Sequence, residues 1–135
     1  MSLPHWKDVA GVIPEDFRYD GASSPFRFLY PLLYDRTTRT AIAIAARVHD
    51  YGYGPARLLG SPEVPQGGHL VTLSMLDRSD WDRLYTTALA AMGHSRVARA
   101  HYWAVRKFGK RAWHKNGERM KAQGLRNYGD WLDSR

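Results

Sequence analysis

This chain of 135 residues contains no cysteine. Disulfides, thiolate metal sites and cysteine nucleophiles are therefore excluded, and the composition fits a reducing compartment. Long apolar runs are also missing. The longest, residues 41–46, stops at Arg47, far short of the ~20 residues that a membrane-spanning helix needs. The first ten residues include His5, Trp6, Lys7 and Asp8 and hold no apolar stretch of the kind a secretory signal requires. No His-x-x-x-His or His-Glu-x-x-His spacing occurs, which argues against zinc. There is no Walker loop, no G-x-G-x-x-G and no G-x-S-x-G elbow.

Acidic residues are scarce in one region. Residues 1–93 carry nine Lys/Arg and ten Asp/Glu, whereas residues 94–126 carry ten Lys/Arg and one acid, Glu118. The formal net charge of +7 is thus a property of the C-terminal third. A surface of one sign attracts polyanions: nucleic acid, anionic headgroups or an acidic protein.

What is present is a globular composition, 44 % hydrophobic and 24 % charged, in a chain long enough for one core. The reading is a mainly α-helical fold in a single domain, residues 1–135, with a core at about 13–113 and a peripheral extension at 114–135. Residues 1–35 are broken by Pro4, Gly11, Pro14, Gly21, Pro25 and Pro31, and an irregular segment without helix is expected. Three principal helices follow. The first is capped by Thr37 or Thr38, runs to about Tyr53, and reads as apolar nearly all round, hence buried. The second opens at Ser79 and carries Trp81, Leu84, Tyr85, Ala88, Leu89 and Met92 at helical spacing up to Gly93. The third is capped by Ser95 and runs to about Trp113, with Val97, His101, Ala104, Val105 and Phe108 on one side and Arg96, Arg99, Arg106, Lys107 and Lys110 on the other. A two-residue joint, Gly93-His94, suggests that the last two form a hairpin. Residues 54–76 read as a long Gly/Pro-rich connection in which residues 70–75 can form a strand, and a short β-hairpin is allowed for.

His49, Asp50 and Tyr53 form the densest candidate site. His49 shares a helical face with Ile42, Ala45 and Tyr53 and points inward, and Asp50 is rotated by about 100°. A buried histidine beside a carboxylate can act as a general base. An aspartate at a helix end can bind a hard cation through oxygen. The plainer alternative is a core histidine with one hydrogen bond and a solvated aspartate. Asp82, one position off the apolar stripe, can orient His49, but Ser79-Asp80-Trp81-Asp82 also fits a capping box, and the spacing favours the cap. Asp20 and Ser23 lie in Asp20-Gly21-Ala22-Ser23-Ser24-Pro25. There Asp20 can add a carboxylate and Ser23 a binding hydroxyl, although an Asx/Ser turn is the simpler reading. Arg99, Arg106 and Lys110, with Trp103, Trp113 and Tyr102 nearby, can grip nucleic acid, while most such faces are only solvated.

The order of four segments carries a resemblance: residues 14–25, Ala45-Ala46-Arg47-Val48-His49-Asp50-Tyr51-Gly52-Tyr53, Asp82-Arg83-Leu84-Tyr85, and Tyr102-Trp103-Ala104-Val105-Arg106-Lys107-Phe108-Gly109. Together they resemble the phage and prophage family catalogued as domain of unknown function 1353. The resemblance implies a phage setting, a location in the host cytoplasm or the virion, and phage structural proteins as possible partners. A second likeness concerns His49-Asp50-x-x-Tyr53 alone. It is similar to the His-Asp-x-x-Tyr signature of secreted and parvoviral phospholipases of the A-two class. That likeness implies His49 as the base that activates water and Asp50 as a calcium ligand, with Asp20 as a second candidate. It also implies Tyr53 and Asp82 as the groups that hold His49, and a lipid or ester substrate. The competing expectation is a non-enzymatic virion or assembly protein whose basic helix touches nucleic acid or an acidic neighbour.

Overall fold

Helix α2 (Arg36–Tyr53) holds the most apolar stretch of the chain and organises the rest. A computed structural model describes residues 3–17 and 33–135. Around α2 are α1 (Trp6–Val12), α3 (Arg78–Ala91), α4 (Ser95–Ala122) and α5 (Tyr128–Asp133). A two-stranded antiparallel sheet, β1 (Glu63–Gln66) and β2 (His69–Thr72), lies between α2 and α3 in the chain. The fold is mainly helical, with the three long helices and the hairpin that the sequence suggests.

Helix α1 corrects the expectation that no helix fits before residue 35. The His5 ring accepts a hydrogen bond from the Lys7 amide, and Trp6, Val9 and Ile13 bury their side chains in the core. Burial of three apolar groups, each contributing ~2 kcal/mol, outweighs one glycine in a short helix. The cap of α2 is Asp35, two or three residues earlier than expected, because its Oδ1 accepts from the Thr38 amide at 2.8 Å. Helix α2 is not buried all round either: Ile44 is 41 % exposed. Its end at Tyr53, before Gly54, is where the sequence puts it.

The connection at 54–76 is structured. A 3₁₀ turn at Pro55–Arg57 leads to the hairpin, and a second at Leu73–Met75 leads to α3. The strands pair Val64 with Val71 and turn at Gly67-Gly68, where Gly67 has φ +63°, a conformation that glycine adopts without strain. Residues 73–75 are therefore not strand.

Helix α3 begins under a capping box made by Asp77 and Asp80: Asp77 Oδ1 accepts from the Asp80 amide at 2.9 Å, and Asp80 Oδ2 accepts from the Asp77 amide at 3.0 Å. This overturns the preference for a box from Ser79 to Asp82 and leaves Asp82 available for other work. Trp81, Leu84, Tyr85, Ala88 and Leu89 form the buried stripe as expected. Trp81 packs on Gly52 of α2, where any Cβ would fall 2.0 Å from the indole. That glycine sets how closely α2 and α3 approach.

Gly93, at φ +93°, turns the chain into α4. Helix α4 outruns its expected end at Trp113 by nine residues, to Ala122. Its buried residues are Ala98, His101, Val105, Gly109 and Met120, so the stripe is rotated from the expected one, and Phe108 is 42 % exposed. Helix α5 is held by Tyr128, whose hydroxyl is 2.7 Å from that of Tyr51 and whose amide donates to the Leu59 carbonyl at 2.8 Å.

A buried histidine–aspartate network between three helices

His49 and Tyr53 are one turn apart near the C-terminal end of α2, and both are fully buried. Asp82, also fully buried, faces them from α3. His49 Nε2 donates to Asp82 Oδ1 at 2.7 Å, and the Tyr53 hydroxyl donates to the same oxygen at 2.5 Å. A carboxylate can only accept, so in the neutral ring this bond places the proton on Nε2 and the lone pair on Nδ1. Among the described residues, Nδ1 has no hydrogen-bond partner, although it is buried. Among the described residues, the nearest carboxylate oxygen on that side is Asp50 Oδ1, at 3.9 Å, close enough for charge attraction but too long for a hydrogen bond. Asp50 is largely buried too, with 11 % of its side chain exposed.

The other oxygen of Asp82 takes the cations. Arg106 Nη1 of α4 donates to Oδ2 at 2.7 Å, and Arg78 Nη1 of α3 lies 3.4 Å from it. A buried carboxylate without such partners would be costly. Burial pushes Asp82 up, but its hydrogen bonds from His49, Tyr53 and Arg106 more than offset this and hold it below the usual carboxylate range. Burial pushes His49 down, but Asp50 and Asp82 together outweigh it, and His49 lies above the usual imidazole value. Burial and the neighbouring Asp82 raise the Tyr53 hydroxyl, which stays a donor at any working pH.

The packing around the network is close. The Tyr85 ring meets His49 edge to face at 5.2 Å, and Tyr53 lies 4.1 Å from it, centroid to centroid. Behind Tyr85, its hydroxyl is 2.6 Å from Nδ1 of His101, a histidine that burial pushes down to about 4. A Cβ at Gly109 would lie 2.6 Å from the Tyr53 hydroxyl, so α4 reaches Tyr53 and Arg78 only because residue 109 is glycine. One turn before Tyr51, Arg47 donates to the carbonyls of Phe17 and Pro14 at 2.7 and 2.6 Å, and Phe17 packs against Tyr51. The N-terminal segment is thereby pinned to α2 beside the site.

Of the residues singled out from sequence, His49, Asp50, Tyr53 and Asp82 come together. Arg106 joins them, which corrects its placement on the outward basic face: its guanidinium turns inward to Asp82. Arg99 and Lys110 are exposed on α4, away from the network. Asp20 and Ser23 lie outside the described residues. Arg78 and Gly109 were missed. The spacing of four between Arg78 and Asp82 on one helix is the signal that could have found the first. An isolated glycine in a helical pattern is the signal for the second.

Residues 5–105 match the model of a family described as a protein of unknown function (DUF1353). The matched span contains His49, Asp50, Tyr53, Arg78 and Asp82 and ends one residue before Arg106. No curated protein and no solved structure matches the chain.

Proposed function

We propose that this chain, which belongs to the DUF1353 family, is a hydrolase that uses His49 as its general base on an ester, with a lipid ester as the first candidate substrate. The observation that carries the reading is the buried Nδ1 of His49, which has no hydrogen-bond partner among the described residues while Nε2 is held by Asp82. A purely structural histidine has little reason to leave one buried ring nitrogen unsatisfied. A base needs that lone pair. In hydrolysis, Nδ1 would take a proton from water as the water oxygen bonds to the carbonyl carbon. The same proton would pass from Nδ1 to the departing alkoxide as the ester C–O bond breaks. Asp82 would stabilise the imidazolium between these steps, and Tyr53, Arg78 and Arg106 would keep Asp82 in place.

The likeness of His49-Asp50-x-x-Tyr53 to phospholipases of the A-two class points the same way and brings calcium with it. When bound, calcium would supply polarisation of the carbonyl. Asp50, together with Asp20, would hold it. Among the described residues no group of three His, Asp or Glu is arranged for a metal. Calcium prefers six to eight oxygens, so Asp50 alone would not make the site, and carbonyls, waters or the Asp20 carboxylate would complete it.

A second reading has one observation in its favour. Asp82 is charge-balanced, and His49, Tyr53 and Asp82 are fully buried, as befits a structural tie in a virion or assembly protein. The resemblance to phage and prophage proteins suits either role, in the host cytoplasm or in the particle.

The test is turnover of phospholipid vesicles and simple carboxylic esters, with and without calcium, by wild type and His49→Gln. Loss of ~10²-fold or more with the fold retained supports the base. Full activity in His49→Gln ends the reading of His49 as the base. If neither protein turns over any ester and His49→Gln only loses stability, the structural reading takes its place.

A further inference from the structure

Helix α4 carries nine Lys/Arg and one acid, Glu118, over 28 residues. Its buried residues Ala98, His101, Val105 and Gly109 follow spacings of three and four and face the bundle. On the outward side the same spacings align Arg96, Arg99, Trp103, Lys107 and Lys110, all exposed. Arg106 is withdrawn from this set by Asp82, so the outward cations are those with no described ion pair to an acid of the chain. At 1.5 Å per residue the stripe runs about 21 Å along the helix. In its middle Trp103 is 60 % exposed, with Lys107 Nζ 4.7 Å from its ring.

We infer that this face of α4 binds nucleic acid, with Arg96, Arg99, Lys107 and Lys110 on phosphates and the Trp103 ring against a base or sugar. The charge complementarity is direct: a row of cations meets a polymer of phosphates. An exposed indole within the row adds a stacking platform, which every base can use. An anionic bilayer fits less well. A helix that lies in a membrane interface buries a continuous apolar face there, whereas the large apolar side chains that α4 leaves exposed are Trp103 and Phe108, set among cations. The surface is independent of the His49 network, because none of its residues touches Asp82 or His49.

The experiment is fluorescence anisotropy of a labelled ~20-nucleotide single strand and of the matching duplex against the full chain, from about 50 mM salt upward. The variants are Lys107→Glu with Lys110→Glu, and Trp103→Ala. A control pair, Lys7→Glu with Arg83→Glu, makes the same charge change on α1 and α3. Binding should weaken about tenfold or more in the α4 pair and less than about twofold in the control. Log affinity should fall with log salt at a slope near −3, as about four phosphate contacts require. Trp103→Ala should weaken the single strand more than the duplex. Absence of binding at low salt, or equal losses in the two charge pairs, overturns the proposal. So does selective binding to phosphatidylglycerol vesicles that the α4 pair abolishes. Ester turnover unchanged in the α4 pair keeps this outcome separate from that of the hydrolase reading.

Discussion

Arg106 of α4 donates to Asp82 of α3 at 2.7 Å, so one cation of the most basic helix is committed to the interior. The carboxylate it meets is fully buried, while the Arg106 side chain is 35 % exposed. Replacing Arg106 by Met leaves Asp82 with the more distant Arg78. Breaking a fully buried pair costs ~3–5 kcal/mol, but the exposure of Arg106 lets water screen the charge, and a loss of about 1–2 kcal/mol is expected. Urea unfolding at neutral pH measures it. A second readout is specific to the network: with less of Asp82's charge taken up by a cation, His49 should titrate at still higher pH by NMR. Unchanged titration would mean that Arg106 does not act on the dyad.

The direction of the His49 shift gives two opposite pH trends. Its folded value is raised above the unfolded value of about 6.5. The stability it contributes is therefore full below about 6.5 and is lost as pH rises through the folded value. Base catalysis runs the other way, since only the neutral ring accepts a proton. Unfolding free energy should fall, and ester turnover should rise, over the same window above about 6.5. Asp50→Asn removes a carboxylate that favours the charged ring, and both trends should move to lower pH. An acid limb that stays put in Asp50→Asn would detach Asp50 from His49.

Two glycines separate stability from function. At Gly52 a methyl group would overlap the Trp81 indole at 2.0 Å, in a core that cannot yield. Gly52→Ala should cost about 3 kcal/mol or more, or prevent folding. At Gly109 a methyl group would press on the Tyr53 hydroxyl at 2.6 Å, the end of a side chain. Gly109→Ala should cost less, about 1–2 kcal/mol, and should act chiefly by moving Tyr53 off Asp82. Thermal melts of the two variants, compared with the His49 chemical shift, separate the effects.

Much of this arrangement was legible in the sequence because it is local. His49 and Tyr53 share a face by spacing alone, and Trp81, Leu84, Tyr85, Ala88 and Leu89 repeat so regularly that α3 could hardly be missed. The errors lie where two local signals compete or where the third dimension decides. Ser79-x-x-Asp82 and Asp77-x-x-Asp80 both fit a capping box, and only the hydrogen bonds separate them: Asp80 accepts from the Asp77 amide, and Asp82 from His49 and Tyr53. Helix α1 hides among Pro4, Gly11 and Pro14 because its stability comes from packing against α2, not from propensity. The last turns of α4 lack a continuous apolar stripe, and the tie that holds the helix near Trp113 comes from outside it: the Arg57 guanidinium stacks 3.6 Å over that ring. Arg106 read as outward because helical periodicity knows nothing of a buried carboxylate on the neighbouring helix.

Calcium offers a prediction that does not depend on knowing the substrate. A divalent cation on Asp50 would neutralise the carboxylate lying 3.9 Å from His49 Nδ1. The charged ring would lose an attraction and face a repulsion, and its titration should move down in pH. A cation bound only by the folded protein also raises the melting temperature, by an amount that grows with the logarithm of its concentration. Wild type should show both effects, Asp50→Asn neither, and Asp20→Asn weaker ones. Magnesium, which tolerates fewer protein ligands and holds its waters, should do less than calcium. If calcium moves neither the His49 resonance nor the melt of wild type, the ion has no place at Asp50, and His49 would have to act on water without it.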